Sequence, residues 1–435
     1  MDITNSDISY LGYYAAESYG LVWKVSGSTP GLYDKVNVYG NVTNSRIHHN
    51  YFGAYTYGAY SMQWLNNEID NNIQYGLDPH DDSDNLLIKD NYVHHNGNHG
   101  IICSQRCDHL TIEDNISKDN KGNGIMLHRN TNESLVENNQ LLYNSDTGLA
   151  IFDSHNNTIQ NNTSLFNKNG IRLSVGSSNN TVQFNEVGFN TNYGLYFYKG
   201  SDAPTSGDGR PKQNRFIGNN VHGNKNYTMK MKESDGNVFE NNQFLANARE
   251  IYLYDTNNNL FIGNTLTGGS YAYYYAAGRA NNTIQDTDTM PTKISDGASS
   301  MTIIDTRNFI FQNDRNIATT VDTAKSSIRF TKSISSSVVN FKRLNFKVLP
   351  SVGQVSVLPL AWGASPDYDK KWTENSAVSS AITNHMIADL KPNTLYEVLV
   401  DGGVWNSYLS DSEGIINFLY ESGVSNKVFE IKAAL

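Results

Sequence analysis

The chain has 435 residues and a formal net charge of −10, from 33 Lys and Arg against 43 Asp and Glu. That balance argues against a nucleic-acid binder, although a local arginine cluster could still serve an acidic substrate. Only Cys103 and Cys107 are present, so a disulfide scaffold is excluded, and no run of about 18 apolar residues reads as a membrane span.

With 34 Gly, 27 Tyr, a large excess of Asn and no long Leu/Ala/Glu/Lys pattern, an all-β chain is expected. The opening residues, Asp2 to Tyr10, carry no signal-peptide pattern and read at once as strand, as though a repeat had already begun. A trimmed chain is therefore expected, from a protein that is extracellular or at the cell surface. Tyr55, Tyr57 and Trp64 fall in the first copies. Next comes Tyr75-Gly76-Leu77-Asp78-Pro79-His80-Asp81-Asp82, where an aromatic hydroxyl, a His and three carboxylates share one short stretch.

Gly76 opens a column continued by Gly100, Gly124, Gly148, Gly170 and Gly194, a period of 22 to 24 residues. Each Gly leads a short apolar strand, such as Ile101-Ile102-Cys103 or Ile171-Arg172-Leu173. A second register holds Asn67, Asn91, Asn115, Asn139, Asn162 and Asn185, and resumes at Asn219, Asn242 and Asn264 after an insertion at about 199–212. Short strands with Gly and Asn at the corners describe a right-handed parallel β-helix whose coils bury their apolar faces by stacking. The period is too short for propeller blades of roughly 40 residues. The column Asn residues are read as structural, tolerating the left-handed backbone region and laddering from coil to coil.

Period-2 alternation turns Leu77, Ile101, Ile125 and their third-position partners inward. Outward positions then carry Asp78 and His80, Ile102 and Ser104, Met126 and His128, Arg172 and Ser174, Tyr196 and Tyr198. With coils about 4.8 Å apart, His80 should lie about 10 Å from His128, with Ser104 between them. Arg106, Arg129 and Arg172 fall on or near this face, and Tyr75, His99 and Asn123 along one edge. His48, His49, His94 and His95 read as solvated corner residues. The result is a groove suited to an extended anionic polysaccharide, since rings pack on sugars and Arg forks pair with carboxylates.

Further along, the repeat is lost. The expected layout is a β-helix over 1–300, a cap or linker over 301–345 and a small β-sandwich over 346–435, the last from alternating strands with turn signals.

The stretch Tyr75-Gly76-Leu77-Asp78-Pro79-His80-Asp81 resembles the YG-[hydrophobic]-DPH-[D/E] motif of the mannuronan C5-epimerases, nearest the periplasmic bacterial and brown-algal type. The likeness extends through His99-Gly100-Ile101-Ile102, Gly124-Ile125-Met126-Leu127-His128-Arg129, Gly170-Ile171-Arg172-Leu173 and Glu17-Ser18-Tyr19-Gly20-Leu21, roughly residues 1 to 290. It implies inversion at C5 of β-D-mannuronate to α-L-guluronate within a polymer. On that likeness His80 and Tyr75 form the acid/base pair beside Asp78. Arg106, Arg129 or Arg172 would neutralise the uronate carboxylate. Where the secreted, calcium-dependent members have an Asp this chain has Ser104, which shifts weight to His99 or Arg106.

Tyr75, Asp78, His80, His99 and Arg106 are accordingly the catalytic candidates. Asp81, Ser104, His128, Arg129, Arg172, Tyr55, Tyr57 and Tyr196 are the substrate-binding candidates. Plainer readings stand beside these: Asp78-Pro79 as a turn, Tyr75 as a surface tyrosine, His128 as a ladder residue, Arg172 as a structural counter-charge. No metal or cofactor is expected, because the acidic corners lack a D-x-D-x-D-G calcium loop, although their Asp and Asn keep bound calcium open as the alternative. A monomer is expected. The other readings are a β-elimination lyase, since the same C5 carbanion can expel the 4-O substituent, and a non-catalytic glycan-binding β-helix.

Overall fold

The computed structural model describes residues 1–15, 18–27, 29, 31–32, 35–200, 207–269, 271–285, 292–305, 309–311, 317–322, 327–332, 346–352, 354–362 and 368–434, over much of 279–362 for the backbone alone. Glu17, and the parts of the expected 301–345 cap at 306–308, 312–316, 323–326 and 333–345, lie outside the described residues. The chain forms two compact units, Met1–Arg249 and Glu250–Leu435.

The first unit is a right-handed parallel β-helix with three strands per coil, and no helix occurs among the described residues. The groove stack includes Phe52–Tyr57, Leu77–His80, Ile101–Ser104, Ile125–His128, Thr147–Phe152, Asn169–Ser174 and Leu195–Tyr198, paired in parallel. A second stack runs through Gln63–Leu65, Leu87–Lys89 and Thr111–Glu113, and a third through Glu68–Asp70, Tyr92–His94 and Ile116–Lys118. The register is the expected one. Leu77 aligns with Ile101, Ile125 and Leu149, all fully buried, while His80 aligns with Ser104, His128 and Phe152.

The corners show a division of labour that the repeat alone did not reveal. The residue before each column Asn takes the left-handed backbone, as in Asn66, Asp90, Asp114 and Asn138. The column Asn itself points inward, and its backbone N–H and Nδ2 both donate to Oδ1 of the next Asn, as Asn115 does to Asn139 at 2.9 Å each. Two further ladders run beside this one. Asn72, Asn96, Asn120, Asn144 and Asn167 line the corner after the third stack, and Asn157, Asn180, Asn214 and Asn237 the corner before the second. The column Gly residues supply room. A Cβ on Gly100 would stand 2.3 Å from Ser117 Oγ and 2.7 Å from Asn120 Nδ2. Steps along the ladders are 22 to 24 residues except where the insertion falls, where Asn180–Asn214, Asn185–Asn219 and Asn190–Asn224 are each 34 apart with unchanged bonding.

In the second unit the strand Arg249–Ile262, of which all but Arg249 belongs to it, pairs in parallel with Tyr273–Gln285, and that strand with Thr292–Asp305. Antiparallel sheets follow, as the alternating strands predicted. One joins Gln354–Trp362, Lys370–Ser376, Lys427–Ala433, Leu395–Val400 and Gly403–Leu409, and another Phe346–Pro350, Thr383–Ile387 and Ile416–Tyr420. Trp372 and Phe429 of one sheet meet His385 of the other, and fully buried Glu374 accepts from Trp372 Nε1 at 2.7 Å beside His385 Nε2 at 2.6 Å.

Candidate functional site

The strand Leu77–His80 presents Asp78 and His80 on the groove face, and the chain just before it presents Tyr75. Tyr55, in register with Asp78 one coil earlier, is buried: its ring lies 5.4 Å from His80 and it clusters with Tyr51, Phe52 and Tyr75. Tyr57 stacks over His80 at 6.4 Å. Asp78, Tyr55 and His80 are thus set by strand register, and the face at this rung is aromatic, with Asp78 and Tyr55 buried.

His80 Nδ1 lies 2.6 Å from an oxygen of Asp81. A carboxylate there fixes the proton on Nδ1 and leaves the Nε2 lone pair to the groove, where Gln105 Nε2 stands at 3.3 Å. Burial opposes a charge on His80, but the Asp81 bond and the charges of Asp78 and Asp81 outweigh it and raise its pKa above the ordinary value. Asp78 is 2% exposed and its Oδ1 has no hydrogen-bond partner. Burial, with Asp81 adding to it and His80 opposing, pushes its carboxyl up to about 7. Tyr75 is raised by burial and by the Asp78 charge, so its hydroxyl keeps its proton.

Arg106 follows a left-handed corner one coil on and donates to both Asp82 oxygens at 3.0 and 3.1 Å and to Asp81 at 2.5 Å. Its charge is therefore already matched, and Asp81 serves His80 and Arg106. Arg129 occupies the equivalent corner of the next coil and is exposed. Ser104 Oγ pairs with His128 Nδ1 at 2.7 Å, and burial together with the neighbouring Arg129, His99 and His80 pushes His128 down to about 4. His99 stacks on Tyr75 at 5.3 Å and 8°. Farther along the face, Arg172 pairs with Asp146 at 3.2 Å, and Tyr196 lies between Tyr193 and Tyr198 at 4.9 and 4.8 Å.

Tyr75, Asp78, His80, Asp81, Arg106, Tyr55 and Tyr57 thus share one rung and its neighbours, with His99, Ser104 and His128 beside them. Arg172 and Tyr196 stand several coils away. Gln105 and Asp146 were missed, although Gln105 is in register with Asp81 and a residue-by-residue alignment of the repeat would have found it.

His48 and His94 are strand residues held by partners: His48 Nε2 lies 2.7 Å from Asp7, and His94 Nε2 lies 3.2 Å from Glu68. Glu68, Asp70 and His94 bring ligand atoms within 4.8 Å of one another. Arg46, however, donates to both Asp70 oxygens at 2.9 Å, so the protein itself supplies the cation.

The profile described as "Right handed beta helix region" matches residues 2–141, 102–208 and 209–290. The mannuronan C5-epimerase of Pseudomonas aeruginosa is 36% identical over 95 residues, 21% of this chain and 17% of that protein. Mannuronan C5-epimerase AlgG of Azotobacter vinelandii is 32% identical over 95 residues, 21% of this chain and 18% of that protein. The crystal structure of the periplasmic alginate epimerase AlgG superposes with a TM-score of 0.50 at 25% identity, covering 55% of this chain and 58% of that one. The matches span under a fifth of the curated relatives and under two thirds of the solved one. No described helix is long and apolar enough to cross a membrane.

Proposed function

This chain belongs to the right-handed β-helix family, and we propose that it is a polyuronate C5-epimerase converting β-D-mannuronate to α-L-guluronate within a polymer. The observation that carries the reading is the pairing, across the strand Leu77–His80, of an imidazole whose Nδ1 is held by Asp81, leaving an acceptor Nε2 on which, among the described residues, only the Gln105 amide rests, and a tyrosine that keeps its proton. Likeness to the mannuronan C5-epimerases supports it. Because the relative of known structure is described as periplasmic, action outside the cytoplasm fits this chain too.

His80 Nε2 takes the C5 proton, and the C–H electron pair moves into the carboxylate to give an enolate-like intermediate. Tyr75 then delivers its hydroxyl proton to C5 from the opposite face, and solvent exchange restores both groups. Asp78 in its protonated form donates to the uronate carboxylate, work for which the Arg106 charge, already matched by Asp81 and Asp82, is less available.

Incubation with polymannuronate in deuterated buffer should give deuterium at C5 by NMR without the ultraviolet absorbance of unsaturated ends. Absorbance in place of exchange would mean a lyase, and neither signal would leave a glycan-binding protein.

Asp78 also couples function to stability. Its carboxyl titrates near 7 in the fold against 3.8 unfolded, so the native state holds the extra proton between those values and stability falls as pH rises through that window. Asp78→Asn should therefore lose activity yet gain stability at pH 8, by up to about 4 kcal/mol at roughly 1.4 kcal/mol per pKa unit. Denaturation midpoints at pH 5 and pH 8 measure it, and the gain should shrink at pH 5.

A further inference from the structure

His99 sits one coil beyond Tyr75 on the same edge of the groove, half-buried, with its ring stacked on the Tyr75 ring. The backbone N–H of Asn123 donates to His99 Nδ1 at 2.9 Å. A backbone amide can only donate, so Nδ1 must be the unprotonated nitrogen, and the imidazole must carry its hydrogen on Nε2. The side-chain amide of Asn123 approaches the same Nδ1 at 3.3 Å. Gly122 allows this approach, since a Cβ there would stand 2.3 Å from Nδ1. Among the described residues Nε2 has no hydrogen-bond partner. Burial and the Arg172 charge, with Asp146 opposing, hold the His99 pKa down to about 4, so the ring is neutral throughout the working range. The two neighbouring histidines differ: His80 carries its hydrogen on Nδ1 against a carboxylate, and His128 is paired with the Ser104 hydroxyl.

We propose that His99 is neither acid nor base but a neutral donor of fixed tautomer, whose Nε2–H holds the uronate carboxylate and the charge that gathers there as C5 loses its proton. This rests on the epimerase reading and adds a specificity element to it. A neutral N–H aimed at a developing oxyanion stabilises the charged intermediate without becoming a competing proton source at C5. Because Asn123 fixes the ring by a backbone group, the donor is set before substrate arrives.

The experiment has one arm independent of turnover. In the whole chain labelled with 15N-histidine, His99 should show the Nε2–H tautomer and no titration between pH 5 and 9, and an unreactive mannuronate oligomer of reduced chain end should shift its Nε2 signal. A Nδ1–H tautomer, titration in that range, or no shift on binding would overturn the proposal even if C5 exchange is observed.

In the second arm, His99→Phe keeps the Tyr75 stack and loses the donor, and should slow C5 exchange by about 100-fold. His99→Gln can accept from the Asn123 N–H while donating from its amide, and should recover activity to within roughly 10-fold of the parent with an unchanged pH profile. Full activity in His99→Phe, or His99→Gln as slow as His99→Phe, would also overturn it. Absence of exchange in the parent chain would sink the epimerase reading while leaving the tautomer result standing.

Discussion

His80→Ala should slow C5 deuterium exchange by about 10²- to 10⁴-fold, the usual contribution of a positioned base, while the protein stays folded. Folding should survive because His80 is half-buried on the outer face and its strand is held through the inward side chains of Leu77 and Pro79. Tyr75→Phe should give a loss of similar size, since it removes the proton that must reach the other face. Full activity in either variant would contradict the assignment. The pH profile is sharper still. Exchange requires neutral His80 and protonated Asp78, so activity should climb through the His80 pKa, which is raised above its ordinary value, and fall again as the Asp78 carboxyl, pushed up to about 7, loses its proton, while Tyr75 stays protonated. Asp81→Asn removes a hydrogen bond and a charge that both favour the imidazolium. The acidic limb should then move to lower pH, and an unmoved limb would mean that some other group sets it.

Asn139→Ala should cost about 3–5 kcal/mol, several times more than Asn138→Ala one residue earlier. Asn139 is fully buried, accepts two bonds from Asn115, and donates to Ile112 O, Glu137 O and Asn162 Oδ1 at 2.8 to 2.9 Å. Truncation strands the backbone N–H of Asn115 in a buried corner, removes one acceptor of its side-chain amide and deletes the donors to Ile112 O, Glu137 O and Asn162 Oδ1, at about 1–3 kcal/mol for each unsatisfied group. Asn138 is exposed and takes the left-handed backbone, so its replacement costs about 1–2 kcal/mol of backbone preference. Chemical denaturation of the two variants compares these directly. Equal losses would show that the corners are held by backbone conformation rather than by the amide ladder.

The coil, its register and the groove face were legible because each depends on a period. Columns of Gly and Asn and the alternation of Leu77, Ile101 and Ile125 are visible in one dimension. Two of the three amide ladders went unread. Asn72, Asn96 and Asn120 keep the same spacing as Asn67, Asn91 and Asn115, but lie among so many other Asn that only hydrogen bonding separates ladder members from corner residues. The rung chemistry was legible as a cluster but not as a circuit. That Asp81 turns toward His80 and Arg106, or that Asn123 presents its backbone N–H to His99, depends on which way a corner folds. No single residue type marks such a turn. Arg106 and Arg129 likewise stand at the far end of the strand from Tyr75, whose pKa burial and the Asp78 charge raise.

The uneven step at Asn180–Asn214 has a consequence of its own. The solenoid counts its turns by amide contacts rather than by residues, so the ladder closes across the extra residues with both neighbouring coils still in step. Closing such a loop costs little more as it grows, about 0.6 kcal/mol per doubling of length. The chain position after Tyr198 is therefore a graft point. It lies at the end of Leu195–Tyr198, just as Asp82 and Arg106 lie at the ends of earlier groove strands. Foreign sequence spliced there would leave the amide ladders closed and the Tyr75–Asp82 rung, several coils earlier, in register.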